Sequence, residues 1–172
     1  MSHPTLKDIF VLSAKVVSKA SAKTITIGTA ESCTGGLIGA AITSISGSSA
    51  CFHGGIIAYD NRIKQENLGV QKTTLEGYGA VSSQTAKAMA EGAIRTLSVD
   101  MAVSVTGIAG PGGGTEEKPV GTVWIGFAFK EKKDAGSILS TAELFKFGDI
   151  GRNKIRDITC YEALKTLTTA LN

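Results

Sequence analysis

An α/β fold, with a mixed sheet covered by helices on both faces, is what the sequence predicts, and three observations predict it. β-branched runs in the first half alternate with amphipathic helical stretches. Two later apolar runs are separated by a short charged segment, the mark of an antiparallel pair. Two glycine-rich loops directly follow β-branched runs, which places them at the carboxyl ends of strands, where open α/β sheets build their ligand crevices.

The elements follow in order. Leu6, Ile9, Phe10, Val16 and Val17 recur at three- and four-residue spacing and give a first helix beginning near Pro4. Thr24–Ala30 reads as a strand, and Gly35–Ile45 as a helix of small residues able to pack close to the sheet. Ser46-Gly47-Ser48-Ser49 breaks the pattern before a second strand, Gly54–Tyr59. Asp60 or Asn61 caps a brief helix through Leu68. Ser82 or Ser83 caps a longer one whose Ala86, Met89, Ala90, Ala93 and Leu97 share a face. Met101–Thr106 is the third strand and Gly121–Phe129 the fourth. Lys130–Asp134 marks a turn into a fifth near Ile138–Phe147, and Ile155, Ile158, Leu164, Leu167 and Leu171 line a closing helix.

Composition narrows the class. A chain of 172 residues with 42% hydrophobic content predicts one globular domain, residues 1–172, with a core of its own. No apolar run approaches membrane-spanning length, and Lys7, Asp8, Lys15 and Lys19 interrupt the start where a signal peptide would be apolar, so a cytoplasmic protein with no membrane partner is expected. Cys33, Cys51 and Cys160 are odd in number and lack CxxC spacing, against a disulfide framework or structural zinc. His3 and His53 are the only histidines, which argues against histidine-based metal sites and a Ser-His-Asp triad and leaves a carboxylate or lysine as general base. The net charge of +3 is dispersed, and basic clusters do not interleave with aromatics, so no nucleic-acid partner is expected.

Chemistry concentrates in the two loops. Thr29-Ala30-Glu31-Ser32-Cys33-Thr34-Gly35-Gly36 joins a strand to a helix, where unpaired N–H groups and the helix dipole favour an anion; Ser32 or Thr34 either caps that helix or serves a ligand. Glu31 is a general base, an acceptor for a ligand hydroxyl, or an ordinary loop acid. Cys33 is a possible nucleophile without a nearby histidine to activate it, or a small buried hydrophobe. The second loop, Thr106-Gly107-Ile108-Ala109-Gly110-Pro111-Gly112-Gly113-Gly114, is neither a Walker loop nor a dinucleotide fingerprint, yet its amides can cradle a phosphate or an oxyanion. Lys64 falls near the start of a helix capped by Asp60 or Asn61, where a charged ammonium is disfavoured; a lysine neutral enough to act as a base there must be largely desolvated. Ser48 and Ser49 offer hydroxyls to a ligand or simply make a turn. Arg152 and Arg156 open the final helix and either clamp a phosphate or remain surface charges.

Read together, these stretches resemble the CinA C-terminal domain family, also described as the nicotinamide-nucleotide amidohydrolase or nicotinamide mononucleotide deamidase family. The resemblance rests on the two loops above, Ser46-Gly47-Ser48-Ser49, the Tyr59-x-Asn61-x-x-Lys64 set, Gly79-Ala80-Val81-Ser82 and Glu116-Glu117-Lys118-Pro119-Val120-Gly121-Thr122-Val123, in family order across nearly the whole chain. It implies a three-layer α/β/α sandwich on a mixed, mostly parallel five-stranded sheet, a mononucleotide as small-molecule partner, self-association, and no metal or organic cofactor. It further implies hydrolysis of the carboxamide of nicotinamide mononucleotide to nicotinate mononucleotide and ammonia. The alternative within the resemblance is a noncatalytic nucleotide-binding, competence-associated protein that keeps the pocket.

The roles implied are a Ser32 nucleophile, a Lys64 general base and Tyr59 as its orienting or relay partner. Glu31, Thr34, Gly35, Ser48, Ser49, Thr106, Gly107 and Arg152 surround the substrate, with amides near Thr34 or Thr106–Gly107 holding the oxyanion, Ser49 as a second hydroxyl and Arg152 on the 5′-phosphate. One departure is visible. The family pattern has Gly-Asp-Arg after the last strand, whereas Gly148-Asp149-Ile150-Gly151-Arg152 carries two more residues.

Overall fold

The computed structural model describes residues 3–131 and 136–172. Helix α1 (Leu6–Ala22) opens with a reciprocal cap in which Thr5 and Asp8 each accept the other's backbone N–H. Thr24 adopts φ +52°, and the Thr26 N–H and hydroxyl both donate to the Asp100 carboxylate, so the chain turns through the start of the expected first strand and β1 runs Ile27–Glu31. Helix α2 (Leu37–Thr43) is shorter than expected because Gly35 and Gly36 sit at φ +62° and +97°, outside helical geometry. A 3-10 turn (Ser48–Ala50) leads to β2 (Phe52–Ile57).

Asp60 accepts the Arg62 N–H at 2.7 Å and starts α3 (Asn61–Leu68), which Gly69 closes in the left-handed region. Helix α4 (Lys72–Tyr78) has no counterpart in the sequence reading: its cap, Gln71, makes no side-chain hydrogen bond, and none of its residues is buried. Ser82 caps α5 (Ser83–Leu97) through the Thr85 N–H, and β3 (Met101–Gly107), β4 (Thr122–Lys130), β5 (Ile138–Lys146) and α6 (Arg152–Ala170) complete the chain. The turn expected at Lys130–Asp134 falls largely on residues 132–135, outside those described.

The five strands are ordered β2-β1-β3-β4-β5. β1 is parallel to β2 and β3, while β3–β4 and β4–β5 are antiparallel, so the sheet is mixed and, of its five strands, β4 runs against the other four. Every residue of β1 is buried, as a central strand covered on both faces requires. One core joins Ile9, Val16, Ile38, Ile42, Leu164 and Leu167 of α1, α2 and α6 to one face of the sheet. The other joins Leu68, Met89, Ala90, Ala93 and Ile94 of α3 and α5 to the opposite face. These are the three layers.

Two consequences position the site. The chain leaves β1 for β2 on one side, yet β3 lies on the other, so the carboxyl ends of β1 and β3 bound the crevice at which an α/β sheet binds ligands. α3 is held at its far end by close approach to α5: a Cβ on Gly92 would collide with the Leu68 carbonyl, and Thr96 Oγ1 donates to the Asn67 carbonyl at 2.8 Å. Gly92→Ala must push the two helices apart, and we expect a loss of about 1–3 kcal/mol in urea unfolding, with the wild-type denaturant slope.

Candidate functional site

A cleft of about 250 Å³ opens at this crevice, lined among others by Ser32, Cys33, Tyr59, Asn61, Lys64, Thr106, Gly107, Gly110 and Arg152. Ser32 follows β1 directly, and its N–H donates to the Val105 carbonyl of β3 at 3.0 Å, which stitches the two loops at their roots. The Gly35 N–H returns to the Ser32 carbonyl at 3.2 Å, closing a tight turn. Among the described residues the Ser32 hydroxyl has no hydrogen-bond partner, and neither the Cys33 nor the Thr34 N–H has an acceptor. Ala109 and Gly110 in the facing loop also present N–H groups without one. A nucleophile-sized hydroxyl beside unpaired amide donors is the geometry that acyl chemistry uses.

Lys64 lines the same cleft at 1% exposure, from the opening turns of α3. Its Nζ donates to the Tyr59 carbonyl at 3.0 Å. Burial pushes the Lys64 ammonium below its ordinary value of 10.5, against the smaller opposing attraction of the Asp60 carboxylate. The Cys33 thiol is pushed up to about 12, chiefly by burial and further by Glu31, while its own backbone N–H and the Arg152 and Arg156 charges pull the other way. Burial thus disfavours the Cys33 thiolate, the form in which a cysteine attacks.

Arg152 reaches the cleft despite the two additional residues before it. Its guanidinium donates to the Gly110 carbonyl at 2.8 Å and to the Tyr59 hydroxyl at 3.1 Å, joining the second loop to the 61% exposed Tyr59 at the rim. The Thr106 hydroxyl is tied at 2.7 Å to the Ala80 carbonyl, so Thr106 shapes the cleft wall through a bond already made. Gly107 is needed for closeness: a Cβ there would stand 2.7 Å from the Thr122 carbonyl.

Other residues expected around the substrate are elsewhere. Glu31 is 1% exposed and does not line the cleft. Its carboxylate accepts from Thr34 Oγ1 at 2.7 Å and from the N–H groups of Gly36, Ile38 and Gly39 at 3.0, 3.1 and 2.8 Å, with Thr29 Oγ1 at 3.3 Å. Glu31 thus caps α2 from the preceding strand, because Gly36 at the cap position has no side chain to do so. Thr34 and Gly35 belong to the same turn but are not among the residues that line the cleft. Ser48 and Ser49 sit at the amino edge of the parallel strands, next to the Cys51 carbonyl that pairs with the Ile27 N–H. The five residues of β1 separate them from Ser32 by roughly 16 Å at ~3.3 Å per residue. α2 carries the chain back to that edge, so these hydroxyls are not brought to the site.

Among the described residues no cluster of three metal-ligating side chains occurs, and no helix is long and apolar enough to cross a membrane. The fold and cleft define an α/β protein with a hydroxyl, a buried lysine and unpaired amides gathered at the switch point of its sheet. The chain belongs to the CinA C-terminal domain family, whose model matches residues 10–171. It is 48% identical over 165 residues to the nicotinamide-nucleotide amidohydrolase PncC of Enterobacter agglomerans, covering 96% of this chain and 94% of that protein. A CinA-like protein of Leptospira borgpetersenii is 60% identical over 111 residues, 64% of this chain; the match spans only 27% of that longer relative. The crystal structure of the competence/damage inducible protein CihA from Agrobacterium tumefaciens superposes with a TM-score of 0.87 at 45% identity, covering 100% of this chain and 99% of that one.

The Glu31 cap carries a stability prediction. Glu31→Ala leaves the buried Ile38 N–H and Thr34 hydroxyl and the part-buried Gly36 and Gly39 N–H groups without their acceptor, and denaturant unfolding is expected to show a loss of about 2–4 kcal/mol.

Proposed function

We propose that this protein is an amidohydrolase that cleaves the carboxamide of nicotinamide mononucleotide, giving nicotinate mononucleotide and ammonia, with Ser32 as nucleophile and Lys64 as general base. The observation that carries the reading is Lys64: a lysine lifted out of water, held by a single carbonyl, on the wall of the cleft that Ser32 also lines. Nothing in packing calls for an ammonium there, whereas a lysine whose proton is easily lost suits deprotonation of a hydroxyl. The name of the Enterobacter relative, matched along nearly its whole length, supports the same substrate.

In this scheme Lys64 accepts the Ser32 hydroxyl proton as Oγ attacks the carboxamide carbon, which the adjoining pyridinium makes electron-poor. The tetrahedral oxyanion is met by the unpaired amides of the two loops, with Cys33 the donor nearest the attacking residue in sequence. Lys64 returns the proton to the leaving nitrogen, ammonia departs, and an ester to Ser32 remains. Water then attacks the ester, giving its proton to Lys64, and Ser32 is regenerated when that proton is returned. Tyr59 acts through its carbonyl, which orients Nζ, and Arg152 stands at the rim where a 5′-phosphate would arrive.

Ammonia release on incubation with nicotinamide mononucleotide tests this directly. Ser32→Ala is expected to lose roughly 10³-fold or more in kcat and Lys64→Met about 10²–10⁴-fold. Lys64→Met should at the same time match or exceed the wild-type Tm at neutral pH, because it removes an ammonium that burial disfavours. Absence of ammonia from the wild type across pH and concentration would leave the noncatalytic, nucleotide-binding alternative.

A further inference from the structure

Arg152 and Arg156 stand one turn apart at the start of α6, and each reaches the backbone of a different cleft loop. Arg152 donates to the Gly110 carbonyl, in the loop after β3. Arg156 donates from both Nε and Nη2 to the Thr34 carbonyl, at 3.3 and 2.8 Å, across 122 residues of sequence. The guanidinium of Arg156 is half-buried, does not line the cleft, and in the described structure has no carboxylate in ion-pair contact.

The Ser32–Gly35 turn is otherwise held from its own surroundings: by the Val105 carbonyl at the root, by the Gly35–Ser32 hydrogen bond within it, and by Glu31 on the Thr34 hydroxyl. Only the Val105 bond ties the turn toward the facing loop, and it does so at the root; none of these bonds holds the Thr34 end of the turn against that loop. We infer that Arg156 is a positioning residue for the reaction, α6 acting as a bracket whose two arginines set the Ser32 turn at a fixed distance and angle from the Gly110 loop. A planar fork placing two N–H groups on one carbonyl constrains direction as well as distance, which a lysine at the same position cannot do.

The inference rests on the amidohydrolase reading, and two readouts keep their failures apart. For Arg156→Met, steady-state ammonia release from nicotinamide mononucleotide is expected to show kcat reduced about 10–100-fold with KM within about threefold, on protein that melts well above the assay temperature. Arg156→Lys, which keeps the charge and a donor group but not the planar fork, should recover part of the loss. Phosphonylation of Ser32 by a fluorophosphonate, with fluoride as leaving group, should slow in parallel in both variants. A KM that rises while kcat holds would make Arg156 a ligand contact and overturn the inference; unchanged kinetics and labelling in Arg156→Met would also overturn it. If the wild type labels at Ser32 but releases no ammonia, the amidohydrolase reading fails, and the relative labelling rates alone decide the role of Arg156. A wild type that does neither overturns both.

Discussion

The desolvation of Lys64 is the constraint around which the site is arranged. An ammonium at 1% exposure is unfavourable unless strongly paired, and here its partner is one backbone carbonyl. Much of the nearby architecture keeps it dry. Asp60 starts α3 so that Lys64 faces inward, Gly69 ends it after two turns, and Gly92 lets α5 seal the far end against Leu68. The same burial disfavours the charged form, and this is the property that the proposed role of Lys64 as a base draws on.

Across the cleft, order is maintained by a different device. The Ser32 turn lies between a strand and a helix with no capping side chain of its own, and a buried carboxylate from β1 gathers the helix amides instead. Glu31 therefore acts on the site through the backbone: it anchors the start of α2, and with it the turn whose first residue is Ser32. Arginines from α6 hold the outer side of both loops. Opposite ends of the sequence meet here, and the carboxyl-terminal helix is as much a part of the cleft as the loops that line it.

Much of this was legible in the sequence, and the reasons differ by residue. β-branched runs ahead of each loop placed both at strand ends, and the helix cap at Asp60 marked Lys64 as a lysine out of place near the positive end of a dipole. The hydroxyls of Ser48 and Ser49 looked equivalent to Ser32 because composition carries no direction. Their location follows from topology: after a strand and a crossover helix, the chain must be back at the amino edge before a parallel strand can begin. Glu31 was obscured by chain reversal, since its partners are backbone amides that Gly35 and Gly36 turn toward it. The available signal was a helix start with Gly-Gly where Ser, Thr, Asp or Asn would ordinarily cap, which implies that the acceptor comes from elsewhere. α4, with no side-chain cap and no buried residue, offered no periodicity to read.

Lys64 shares a cleft with Ser32, and its burial should disfavour the ammonium. Titration of Lys64 by heteronuclear NMR on lysine-labelled protein, assigned against Lys64→Met, tests this. An inflection below the ordinary lysine value of 10.5 is expected. An inflection at or above that value would show an ammonium stabilised by its surroundings and would rule out a lysine primed by burial to act as a base.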